Sequence, residues 1–74
     1  MAFSRLLNKS YDPSNNSVVY ISNMVQCHRY LKNGASVDLV DIKFEETKND
    51  CLVFVFRKSP LVQELYRKWK SHEL

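Results

Sequence analysis

Cys51-Leu-Val-Phe-Val-Phe56 decides the fold. The run is apolar throughout and rich in β-branched and aromatic residues, so it reads as a strand. Both alternating sets, Leu52/Phe54/Phe56 and Cys51/Val53/Val55, are apolar, so the strand needs cover on both faces. That puts it in the middle of a sheet.

Working outward, Glu45-Glu-Thr-Lys-Asn-Asp50 is a polar hairpin loop. It leads back to a second strand marked by Val37, Leu39, Val40, Ile42 and Phe44. The alternation slips between Leu39 and Val40, where a bulge restores the inward phase. Ser17-Val-Val-Tyr-Ile21 is the first strand. Between the first two strands the spacing predicts a helix, with Asn23 as N-cap and Gln26 in the capping-box position. Met24, Cys27 and Leu31 share its inner face with His28 on the flank, while Gln26, Arg29 and Asn33 point away. Gly34, the only glycine, suits the left-handed position after the helix end. Ser59-Pro60 opens a second helix, in which Leu61, Leu65 and Trp69 form the core stripe with Val62 and Tyr66 alongside. Leu65 and Trp69 should pack on Leu52, Phe54 and Phe56.

The expected fold is therefore an α+β, β-α-β-β-α two-layer sandwich. Strand three lies between parallel strands one and two, and both helices cover one face. Residues 17–74 make this single domain. Residues 1–16 are an N-terminal extension, flexible or covering the sheet. In it Phe3, Leu6 and Leu7 have helical spacing over too short a stretch to be stable alone. Asp12-Pro-Ser-Asn-Asn-Ser17 is a turn. Two helices on one face leave Val53 and Val55 bare, a candidate interface. Phe3, Leu6 and Leu7 are one cover; a second copy packed sheet to sheet is the other. The homodimer is favoured, because it adds the buried area that a 74-residue chain lacks.

Composition narrows the function classes. With 45% apolar and 26% charged residues the chain is a globular protein, not a disordered one. Two cysteines do not make a disulfide framework, the N-terminal stretch has no signal-peptide core, and no run approaches membrane-spanning length. The reading is a protein of the reducing cytoplasm that does not engage membranes. The net charge of +3 is unevenly spread. Arg5, Lys9, Arg29 and Lys32 dominate residues 1–35, Asp38, Asp41, Glu45, Glu46 and Asp50 dominate 36–56, and Arg57, Lys58, Arg67, Lys68 and Lys70 dominate 57–74.

No constellation carries catalysis. Cys27 and His28 are helix neighbours that do not face each other. Cys27, His28, Cys51 and His72 lack the paired spacing of a zinc site. The acidic group has no EF-hand spacing and reads as a solvated hairpin. One glycine excludes a Gly-rich phosphate loop. No enzyme activity, cofactor or metal is expected. The basic group Arg57, Lys58, Arg67, Lys68 and Lys70 is the candidate binding surface. On the last helix Arg67 and Lys70 fall opposite the stripe, and Lys68 pairs with Glu64 at i, i+4.

Tyr20-Ile-Ser-Asn-Met-Val-Gln-Cys-His-Arg-Tyr-Leu31, Gly34, Leu52-Val-Phe-Val-Phe56 and Ser59-Pro60-Leu61 together resemble a family of small uncharacterised bacterial proteins, many of them phage-linked. The likeness covers roughly residues 17–70 and implies a fold and a phage or prophage setting, with no catalytic residue transferred. Residues 1–16 and Cys27 depart from the family pattern. The reading is a non-enzymatic accessory protein acting through contacts with a protein partner. The alternative is a nucleic-acid-binding module using the basic last helix.

Overall fold

A computed structural model describes residues 1–45 and 51–74. The chain runs β1 (Ala2–Ser4), β2 (Lys9–Tyr11), β3 (Val18–Ile21), α1 (Met24–Lys32), a 3₁₀ turn (Ala35–Asp38), β4 (Leu39–Glu45), β5 (Cys51–Arg57) and α2 (Pro60–Lys70). The larger sheet has the order β3-β5-β4, with β5 central and antiparallel to both neighbours. The α+β core and the central place of the Cys51–Phe56 run are as expected. The loop read over residues 45–50 lies, apart from Glu45, outside the described residues.

Local chemistry explains the helix boundaries. Asn23 Oδ1 accepts the Gln26 N–H at 3.0 Å, which caps α1. Gly34 closes the segment at φ 91°, a conformation that a Cβ would penalise. Ser59 does double duty at α2. Its hydroxyl accepts the Val62 N–H at 3.1 Å and donates to the Asp38 carboxylate at 2.6 Å. A buried carboxylate beside a helix N-terminus also meets the positive end of the helix dipole. The cap thereby ties α2 to the start of β4.

The core between helices and sheet contains Ile21, Cys27, Tyr30, Ala35, Phe56, Val62 and Leu65, with Phe54, Leu31, Leu39 and Trp69 packed against it. Four expectations about this layer need correcting. Met24 is exposed, and its place is taken by Tyr30, whose ring meets the edge of Phe56 at 5.6 Å. Gln26 turns inward, because its Nε2 donates to the buried Tyr30 hydroxyl at 3.0 Å. Leu61 sits at the rim while Val62 is buried, so the α2 stripe is Val62, Leu65 and Trp69. Leu52 is exposed opposite Phe44, which is exposed too, and lies outside the cluster.

The far face of the sheet is also closed. Residues 1–16 are neither helical nor loose there: β1 and β2 form an antiparallel hairpin pairing Ala2 with Tyr11. This hairpin packs on β4, and Tyr11, Val18, Val40 and Val55 form a second buried cluster with Ala2 at its rim. The cover expected from Phe3, Leu6 and Leu7 comes instead from Tyr11 and Ala2, since Phe3 and Leu6 are exposed. The expected bulge falls between Leu39 and Asp41. It keeps Leu39 and Ile42 on the helix side and turns both Val40 and Asp41 towards the hairpin. Val53 is covered differently. Tyr20 and Lys43 reach towards each other from the two strands beside β5, with Lys43 Nζ 5.7 Å from the ring centroid. Val53 and Val55, read as a bare interface, are therefore buried within the chain.

Candidate functional site

The two long edges of the sheet are treated differently. Exposed edges template the pairing of another strand, and proteins usually guard them with lysines, bulges or covering segments. The β4 edge has all three: Lys9 Nζ donates to the Leu39 carbonyl at 3.0 Å, the bulge sits at Val40, and the hairpin packs alongside. The β3 edge has no described strand beside it.

Register shows which groups of β3 face out. The Ser17 carbonyl accepts the Lys58 N–H, so Ser17, Val19 and Ile21 direct their backbone groups towards β5. Alternation then turns the N–H and C=O of Val18 and Tyr20 outward. The Val18 N–H is taken by the Ser14 carbonyl at 3.1 Å. Among the described residues, no hydrogen bond within the chain satisfies the Tyr20 backbone pair.

Beside this edge lies an open groove of about 620 Å³, lined by Asn15, Val18, Val19, Tyr20, Lys58, Val62, Gln63 and Tyr66. Val19 and Val62 form its apolar floor, and the half-exposed Tyr66 ring forms its wall. Lys58 stands at one end, its ammonium donating to the Asn15 carbonyl. Lys70 stands near the other, its ammonium 5.5 Å from the Tyr66 ring centroid. Among the described residues neither lysine is paired with a carboxylate.

The five cations read as one basic surface are distributed over several. Lys58 and Lys70 flank the groove. Arg57 follows the parity of Val53 and Val55 towards the far face. Arg67 takes the Glu64 carboxylate in an ion pair at 2.5 Å, at i, i+3, displacing the pairing expected for Lys68. That contact holds Glu64 below the usual carboxylate range and raises Arg67. Lys68 lies on the flank of α2 away from β3, because its 100° steps place it near Leu61.

Of the other chemistry-bearing residues, Cys27, Asp38 and Asp41 have packing roles. Burial pushes the Cys27 thiol up, which leaves it a protonated core residue. Asp38 and Asp41, read as part of a solvated acidic group, are buried anchors bonded to Ser59 and Tyr11. Cys51 and Glu45 oppose each other at the start of β5 and the end of β4. Sequence reasoning missed Val19, Tyr20, Gln63 and Tyr66 as groove residues, since the edge position of β3 becomes visible only with the sheet order. No described helix is long and apolar enough to cross a membrane. No family model, curated protein or solved structure matches this chain.

Proposed function

We propose that this protein is a cytoplasmic, non-enzymatic binding module that takes a protein partner along the open edge of β3. One observation carries the reading: the Tyr20 backbone pair faces out over a groove floored by Val19 and Val62, while the opposite edge is guarded. Unpaired strand edges beside side-chain pockets are what strand-addition recognition uses; main-chain bonds supply affinity and pockets supply specificity. The division of the basic residues among several faces favours this reading over a nucleic-acid footprint, which needs its cations on one face.

Selection from a library of random linear peptides tests it. Wild-type protein should enrich peptides that Tyr66→Asp and Val19→Lys variants fail to retain, since each change puts a charge on the groove wall or floor. No enrichment, or enrichment insensitive to both changes, overturns the reading. Titration with duplex DNA and with RNA at 50 and 200 mM salt forms the second arm. Binding at the lower salt that collapses at the higher would overturn the protein-partner reading in favour of nucleic acid.

A further inference from the structure

We infer that the occupant of the β3 groove is an extended acidic segment of the form Glu-x-Ile-x-Glu, which adds to the sheet as an antiparallel fourth strand; this rests on the reading above. Charge, length and parity point to it independently.

The charge comes from Lys58, which lines the groove, and from Lys70, whose ammonium lies over the Tyr66 ring of its wall; neither has a carboxylate partner among the described residues. A carboxylate brought to either end meets an ammonium whose charge no described carboxylate neutralises. The residues that line the groove include no acid, and Glu64 is held by Arg67 on the outer side of α2.

The length comes from α2. Its eleven residues span about 16 Å at 1.5 Å per residue. Five residues of extended chain cover about 16 Å at roughly 3.3 Å each. The first and fifth positions lie four steps, about 13 Å, apart, so glutamate side chains there reach towards the two ends of α2, beside which Lys58 and Lys70 stand.

Parity decides the middle. On an added strand, residues one, three and five point to one face and two and four to the other. If one and five face the lysines on the helix side, residue three faces Val19, Val62 and Tyr66. An aliphatic side chain belongs there. Residues two and four then face the Tyr20 side. In an antiparallel pair, directly opposed residues point their side chains to the same face, and the residue opposite one whose backbone groups face it, as those of Tyr20 face outward, exchanges both bonds with it. The backbone groups that meet Tyr20 must thus come from residues two or four. Antiparallel addition is favoured because parallel pairing is the slightly weaker form.

The full chain, 15N-labelled, should be titrated with Ac-Thr-Glu-Val-Ile-Val-Glu-Thr-NH2. Resonances of Val19, Tyr20, Val62 and Tyr66 should shift together. Replacing both glutamates by glutamine should weaken binding three- to tenfold, and replacing them by lysine should weaken it further. The Lys58→Glu/Lys70→Glu double variant should invert that preference. Methylating the backbone nitrogens of the two valines should abolish binding, while methylating that of the isoleucine should leave it within twofold. Tyr20→Pro should lose binding while Tyr20→Val keeps it, because the Tyr20 N–H serves no bond within the sheet; the methylated peptides give the same information should the proline variant fail to fold. Equal affinity of the glutamate, glutamine and lysine peptides overturns the acidic specificity and leaves the binding module standing. Equal loss from both methylation patterns overturns the antiparallel register. Concentration-dependent shifts of Val18 to Ile21 without peptide overturn the proposal by showing a second copy on the edge. Library peptides that bind the groove when this one does not overturn the segment alone; silence from both overturns the module as well.

Discussion

Phe56→Ala should lower the melting temperature by many degrees. Phe56 is fully buried, and it belongs to the core cluster that holds residues of both helices. Its ring meets Tyr30 of α1 in an edge-to-face pair at 61°, and it shares a cluster with Val62 and Leu65 of α2. Truncating a buried phenylalanine costs ~3–5 kcal/mol. At roughly 0.05–0.15 kcal/mol per residue, a chain of this length has only about 4–11 kcal/mol in total. Removing the ring therefore removes about a quarter of the stability at the least, and at the low end all of it. Thermal melts followed by circular dichroism would show it. A cooperative melt within a few degrees of wild type would mean that Phe56 does not join the two helices.

Tyr11→Phe should weaken the chain and also change how it responds to acid. The Tyr11 hydroxyl donates to Asp41 Oδ2 at 2.6 Å beneath the hairpin. Burial pushes the Tyr11 phenol upward, and its bond to Asp41 adds to that. Burial alone would raise the Asp41 carboxyl. Hydrogen bonds from Tyr11, Ser4 and the Ile42 N–H, helped by the charge of Lys43, outweigh it and hold the carboxyl below its ordinary 3.8. A carboxyl lowered by folding adds stability that is complete above its unfolded value and is lost as pH falls through the folded one. Wild type should therefore lose stability below about pH 4. Loss of a hydrogen bond to a charged group costs about 1.5–3 kcal/mol at neutral pH. In Tyr11→Phe the carboxyl moves back towards its ordinary value, so the acid fall should be shallower. Urea melts at intervals from pH 7 to pH 2 give both quantities. Identical acid slopes in the two proteins would remove Tyr11 from the account.

The sheet was legible because its signals are local. The run Cys51–Phe56 has apolar residues on both faces, and Gly34, Asn23 and Ser59-Pro60 each punctuate the chain through their own backbone chemistry. The slip at Val40 could be read from alternation alone. Less legible was every residue whose role depends on a distant partner. Asp38 and Asp41 look like surface acids until Ser59 and Tyr11 are brought to them across 21 and 30 residues. Tyr30 and Gln26 bury each other's polar atoms, so neither alone shows the pattern of a core residue. The N-terminal stretch misled for a related reason. Phe3, Leu6 and Leu7 carry the apolar spacing, while the contact with the sheet is made by Tyr11, which no periodicity joins to them. The groove was hidden because an edge is a property of strand order.

The bulge at Val40 has a further consequence for how the gene can change. Val40 is the extra residue between two partners on β5, with Leu39 opposite Phe56 and Asp41 opposite Val55. An in-frame deletion of its codon would leave those pairings adjacent and the strand regular. Ile42 would stay opposite Phe54, Asp41 would still face Tyr11, and the loss would be confined to one valine beneath the hairpin. Deleting the codon of Ile42 instead would bring Lys43 opposite Phe54 and turn an ammonium into the layer beneath the helices. Within this strand the reading frame tolerates shortening at one position, because the fold already carries a spare residue there.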